Sequence, residues 1–247
     1  MRATTVRFSE DLWRLLEREA EREGVSAAQF IRDASVMRAA YAMGRRGDAA
    51  YEAGAPGAET EDPAVAEARR EEEAARRSAL LAAGETARDP RRLAALHATG
   101  LLDSAPDPGF DRHARLAAEV LGAPVALVSL IAEDRQFLKS AIGVAEPWAS
   151  RRETPLSHSF CQHTITGGEP LVVDDAREHP ILKGNPAIAD MGAIAYAGVP
   201  LVDDRGQALG TLCVIDRRPR QWSSHQVELL ADLAASVVSE IALAKAA

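Results

Sequence analysis

Residues 125–142, VALVSLIAEDRQFLKSAI, decide the fold of most of this chain. The run Val125 to Ile131 is apolar apart from Ser129 and rich in β-branched residues, which reads as a strand buried on both faces. The Asp134–Arg135 dipeptide reads as a turn, and Gln136 to Ile142 as a second strand closing a hairpin. Later strands are expected at Leu171 to Val173, Ala195 to Leu201 and Ala208 to Asp216, the last two joined by VDDRGQ with hairpin chemistry around Gly206.

Helices frame these strands. Asp89–Pro90 offers a cap and a first-turn proline for a helix ending near Gly100, with Leu93, Leu96 and Leu101 on its apolar side. A helix with Phe110, Ala114, Ala117, Ala118 and Leu121 runs into Gly122. From Ser223 a long amphipathic helix turns Val227, Leu230, Ala231, Ala234, Val237, Val238 and Ile241 inward. Helices around a hairpin-built sheet give an α+β domain.

Before residue 89 the order loosens. Residues 44–62, GRRGDAAYEAGAPGAETED, read as a flexible linker. An alanine-rich helix with Glu–Arg pairs such as Glu72–Arg76 follows Pro63 to about Gly84; its apolar stripe is thin, so it reads as a solvated helical spacer. The N-terminus has a pattern of its own. Residues 2–9, RATTVRFS, alternate Val6 and Phe8 on one face with Ala3, Thr5 and Arg7 on the other, the signal of a strand. Ser9 caps a helix carrying Leu12, Leu15, Leu16 and Ala20 that stops at Gly24, and Ser26 caps a second helix.

The stretch TVRFSEDLWRLLEREAEREGVSAAQFIRDA, residues 5–34, resembles the ribbon-helix-helix family of DNA-binding domains. About 40 residues bury too little apolar surface to fold alone, so the resemblance implies an intertwined dimer over residues 1–43. It also implies double-stranded operator DNA as partner. Ala3, Thr5 and Arg7 become groove-facing positions, Arg2 reaches a base or phosphate, and Ser26 and Ala27 hold a phosphate through helix amides. Ala3 departs from the polar residue usual there.

Residues 91–244 resemble a GAF domain of the bacterial signalling type, through RLAALHATGLLDSAP, VALVSLIAEDRQFLKS, SHSFCQHTI, PLVVDDAREHP, NP, YAGVPL and ALGTLCVID in order. The resemblance implies an antiparallel sheet flanked by helices over residues 89–247, with 44–88 as linker and spacer, and a small-molecule pocket. Phe137, Phe160, Cys161, His163, Asp174, Tyr196 and Cys213 are its candidate lining residues. The ligand is unknown. Bilin-binding relatives carry Cys followed directly by His, whereas here the order is Cys161-Gln162-His163. The cyclic-nucleotide signature is absent, and free methionine sulfoxide reductases use several cysteines where this chain has two. His158, Cys161 and His163 lack a matching fourth ligand for a zinc site, so no metal is expected.

The chain has 247 residues, 47% hydrophobic, with 29 Lys+Arg against 37 Asp+Glu, which excludes a uniformly basic nucleic-acid coat. Residues 1–46 hold nine arginines and seven acidic residues, so basicity is local to that end. No run approaches the roughly 18 apolar residues of a membrane span and no signal-peptide core opens the chain, so a cytoplasmic protein with free, buried thiols is expected. No catalytic module follows the GAF-like region. The expected function is a one-component, non-enzymatic transcriptional regulator, a homodimer or tetramer whose GAF half senses a small molecule or redox signal. A ligand-free dimerisation or interaction scaffold is the alternative.

Overall fold

A computed structural model of the chain describes residues 63–246, together with Trp13, Arg14, residues 16–18, Ala20 and Ala27. The isolated N-terminal residues are helical: Ala20 is buried, Leu16 and Ala27 are half-buried, and the Trp13 indole N–H donates to Glu17 at 2.7 Å. The expected strand at 2–9, the linker at 44–62, and Arg2, Ala3, Thr5, Arg7 and Ser26 lie outside the described residues. The chain divides into Met1–Glu61 and Asp62–Ala247.

The second unit opens with α1 (Pro63–Ala87), α2 (Pro90–His97) and α3 (Pro108–Leu121). Asp89 caps α2 by accepting from the amides of Arg91 and Arg92 at 2.8 and 2.9 Å, and Asp107 caps α3 through the Gly109 amide at 2.8 Å. A hairpin follows, β1 (Val125–Ile131) and β2 (Arg135–Ile142), so Arg135 opens the strand rather than sitting in the turn. Then come α4 (Trp148–Arg151), β3 (Glu153–Pro155), α5 (Cys161–Gly167), β4 (Leu171–Val173) and α6 (Ala187–Asp190). Strands β5 (Ala195–Val202) and β6 (Ala208–Asp216) form the second hairpin, and α7 (Ser224–Ala246) closes the chain. In the β5–β6 turn Asp203 accepts from the amides of Arg205 and Gln207, and Gly206 takes a φ of +77°, a left-handed value that glycine adopts without strain. Ser223 and Gln226 cap α7 reciprocally: the Gln226 amide donates to the Ser223 hydroxyl at 3.2 Å and the Ser223 amide to the Gln226 side chain at 3.1 Å.

The six strands form one antiparallel sheet in the order β3-β2-β1-β6-β5-β4. Every residue of β1 is buried, as a strand covered on both faces requires. One face packs on α2, α3 and α7 through Phe110, Leu121, Leu130, Phe137, Leu212, Leu230 and Val237. The other packs under α1 and α5 and the loops between β4 and β5, through Leu127, Phe160, Cys161, Leu182, Tyr196 and Cys213. Helices therefore cover both faces.

Two features depart from the sequence reading. First, α1 is not solvated along its length, because Ala83 and Ala87 are fully buried and its final turns pack on the second core. Glu72 turns to Lys183, at 2.5 Å, across to the loop beyond β4. Second, β2 contains an irregularity. Val128 pairs with Ser140 but Ser129 pairs with Leu138, leaving Lys139 extra. This bulge brings both Lys139 and Ser140 to the α3 side, where Lys139 donates to Ser104 and the Ala105 carbonyl and Ser140 to Asp111. Among the described residues no helix is long and apolar enough to cross a membrane.

Candidate functional site

The second core is not uniformly apolar. On its sheet face Ser129 of β1 and Thr211 of β6 share a hydrogen bond of 2.9 Å, both fully buried. One pair further along β6, Cys213 stands opposite Leu127 on β1 and Gly198 on β5. The Tyr196 ring lies along its own strand over Gly198, where any Cβ would collide with the phenol, so only glycine allows this approach. Folded back in this way, the Tyr196 hydroxyl meets Thr164 of α5 at 2.7 Å and donates to the Cys161 sulfur at 3.5 Å. The Cys161 and Cys213 sulfurs are 3.7 Å apart, and both thiols are free. Six polar or sulfur-bearing side chains thus meet between α5 and the middle of the sheet.

These contacts set the ionisation of the thiols. Burial pushes Cys161 up, but hydrogen bonds from Cys213, Ser129, Thr211 and Tyr196 outweigh it and hold that thiol well below its ordinary value. Cys213 is raised by its bond to Cys161 and further by burial. Tyr196 is raised by burial and by the two sulfurs. Of the two thiols, Cys161 ionises first.

The expected pocket residues do not all converge. Phe160, Cys161, Tyr196 and Cys213 come together, with the Phe160 and Tyr196 rings edge to face at 5.6 Å. They fill this core. Phe137 does not join them. It lies on the opposite sheet face in the first core, with Arg152 5.0 Å above its ring. Asp174 is exposed, and its backbone carbonyl accepts from the Arg220 amide at 3.0 Å.

His163 is half-buried on α5. Burial, and less so the neighbouring His179, lowers it from 6.5 to about 4, and its buried Nε2 has no hydrogen-bond partner among the described residues. His158 instead packs against Trp148 and is bonded to Asp190 at 2.9 Å and to Ser157 at 3.1 Å. His158, Cys161 and His163 therefore point to different partners, and no three His, Cys, Asp or Glu among the described residues gather as metal ligands.

Sequence reasoning missed Ser129, Thr164, Thr211 and Gly198. A lone serine within VALVSLI was the available signal, because a polar residue in a strand buried on both faces needs a partner. A groove of about 400 Å³ lies on the other side of the sheet, bounded by Ala95, Thr99, Leu209, Val238, Ile241 and Lys245.

This antiparallel sheet with helices on both faces, built around paired hairpins, is the architecture of a small α+β domain. The GAF domain model matches residues 106–241, more than half of the chain, and the chain belongs to that family. It is 35% identical, over 144 residues, to a cyclic di-GMP phosphodiesterase of Pseudomonas aeruginosa; the match takes in 58% of this chain and 24% of that protein, so the chain spans about a quarter of that relative's length. Among solved structures it is similar to the GAF domain of a phosphoenolpyruvate-protein phosphotransferase from Coxiella burnetii, at 19% identity and a TM-score of 0.49, covering 63% of this chain and 94% of that one. The corresponding domain from Acinetobacter matches at 20% identity and a TM-score of 0.47, covering 64% and 97%.

Proposed function

We propose that this chain is a non-enzymatic DNA-binding regulator whose GAF domain reads a small-molecule or redox signal. Residues 1–43 act as a dimeric ribbon that grips double-stranded DNA through Arg2, Thr5 and Arg7, with the amides at Ser26 and Ala27 on phosphate. The observation that carries the sensing half is the seating of α1. The segment that leads into the GAF domain is docked by Ala87 against the core that holds Cys161, Tyr196 and Cys213, with Ala83 fully buried one turn before it. A change under α5 therefore bears directly on α1. Coupling of this kind needs the signal to favour one seating of α1 over another.

The DNA half is tested by binding of the full chain to duplex DNA from its own promoter region over a range of salt. Affinity should fall steeply as salt rises, and a Thr5→Ala, Arg7→Ala variant should bind at least about tenfold more weakly. Equal binding by the variant and the parent protein removes the regulator reading and leaves an interaction scaffold.

A further inference from the structure

A pair of structural thiols has no need of the company kept by Cys161 and Cys213. Small apolar side chains would fill the same space, and a free cysteine in a core behaves as a small hydrophobe. Here the Tyr196 hydroxyl donates to the Cys161 sulfur and bonds Thr164, and the Ser129–Thr211 hydroxyl pair lies on the same sheet face, four hydroxyl groups inside an otherwise apolar compartment. Each is fully or almost fully buried. The bond between the two sulfurs, with Ser129 bearing on Cys161 alone, favours the thiolate at Cys161 and the thiol at Cys213. That asymmetry is what an attacking sulfur and a resolving sulfur require.

We propose that Cys161 and Cys213 are a redox pair that a hydroperoxide converts to an intramolecular disulfide, with Cys161 as the attacking sulfur and Cys213 as the resolving one. The Cys161 thiolate attacks one oxygen of hydrogen peroxide. A sulfur–oxygen bond forms, the oxygen–oxygen bond breaks, and the departing hydroxide becomes water by taking up the proton that Cys161 released on ionising. Cys213 then attacks the sulfenic sulfur. The disulfide forms, the sulfur–oxygen bond breaks, and the leaving hydroxide takes the Cys213 proton as a second water. Two thiols are oxidised and one peroxide is reduced. Both sulfurs are buried, which favours a small oxidant over a bulky one or a partner protein's thiol.

Closing the bond brings the sulfurs from 3.7 Å to about 2.05 Å. Cys213 is held by hydrogen-bonded strands on both sides, whereas Cys161 starts a helix of seven residues, so the movement falls on α5. The seat of Ala83 and Ala87 shifts with it. As a signal the disulfide rests on the sensor reading proposed above; as chemistry it stands alone.

The test is thiol counting on the intact full-length protein. After hydrogen peroxide, the protein is unfolded, alkylated with N-ethylmaleimide, and weighed and mapped by mass spectrometry. Both thiols should disappear together, return with dithiothreitol, and give one cross-linked peptide pair joining Cys161 to Cys213. A Cys213→Ser variant should accumulate sulfenic acid at Cys161, trapped by dimedone, while Cys161→Ser should slow oxidation of Cys213 about tenfold or more. Two alkylatable thiols after peroxide, or oxidation of Cys213 ahead of Cys161, overturns the proposal, and the wild-type map decides even if a variant fails to fold. A mapped disulfide without change in DNA affinity would retain the redox pair and refute only its coupling to DNA.

Discussion

The Arg92 guanidinium donates to the Ala87 carbonyl at 2.5 Å, tying the first turn of α2 to the last residue of α1. The same group reaches the Thr86 carbonyl at 3.0 Å and the Ala208 carbonyl, where β6 begins, at 3.4 Å. Only 3% of Arg92 is exposed, so one buried cation gathers the end of α1 onto the sheet. Arg92→Ala should cost about 3 kcal/mol, since three carbonyls lose a charged donor at once. Denaturant unfolding measures the loss, and hydrogen exchange should rise first in the final turns of α1. Arg92→Lys should recover only part of it, because an ammonium cannot span three acceptors in the guanidinium's plane.

The seat of α1 predicts a contrast between neighbours. Ala83 is fully buried, whereas Leu81 is 64% exposed on the same helix. Ala83→Glu should lower stability by several kcal/mol, as an unpaired carboxylate enters the core, while Leu81→Glu should stay within about 0.5 kcal/mol of the parent. Equal effects in thermal unfolding would show that α1 is not docked through this face.

Tyr196 joins the polar cluster to α5. Tyr196→Phe removes its bonds to Thr164 and Cys161, and should cost about 1–2 kcal/mol and raise the Cys161 thiol. Monobromobimane or peroxide reaction rates followed against pH should then shift to higher pH. Gly198→Ala should cost about 1–3 kcal/mol by pushing the Tyr196 ring off its strand.

His163 gives a pH signature. Its folded value lies at about 4 against 6.5, so the folded protein keeps the ring neutral while the unfolded chain takes up a proton. Its contribution is fully present above pH 6.5 and is lost as pH falls from 6.5 to about 4, by roughly 3 kcal/mol in all. His163→Gln should flatten that part of the stability profile measured by urea unfolding. An unchanged slope would place the ring in contact with solvent.

The strands Val125–Ile131, Leu171–Val173 and Ala208–Asp216 fall where the sequence reads them, because apolar runs there stop at turn residues on both sides. The elements Trp148–Arg151, Glu153–Pro155 and Ala187–Asp190 are too short to show a period, and no pattern announces them. Phe137 reads as lining the pocket, but it lies on the opposite sheet face. A strand covered on both sides lacks polar alternation, and the bulge at Lys139 resets the parity along β2. The cluster around Cys161 was half legible. The motifs brought Cys161, Tyr196 and Cys213 into one set, but Ser129 and Thr211 meet only through the β1–β6 pairing, which joins residues 82 positions apart. Gly198 acquires its role from a side chain two residues away on the same strand.

The central claim is that a change beneath α5 controls a DNA-binding ribbon. Fluorescence anisotropy of the full chain on duplex DNA from its own promoter region, with reduced and peroxide-oxidised protein compared at one salt concentration, tests it most directly. Binding should be salt-sensitive, with an affinity that differs between the two states by at least about fivefold, the lower end of allosteric couplings. Absence of binding in both states, or one affinity shared by protein shown to be reduced and protein shown to carry the disulfide, would contradict it.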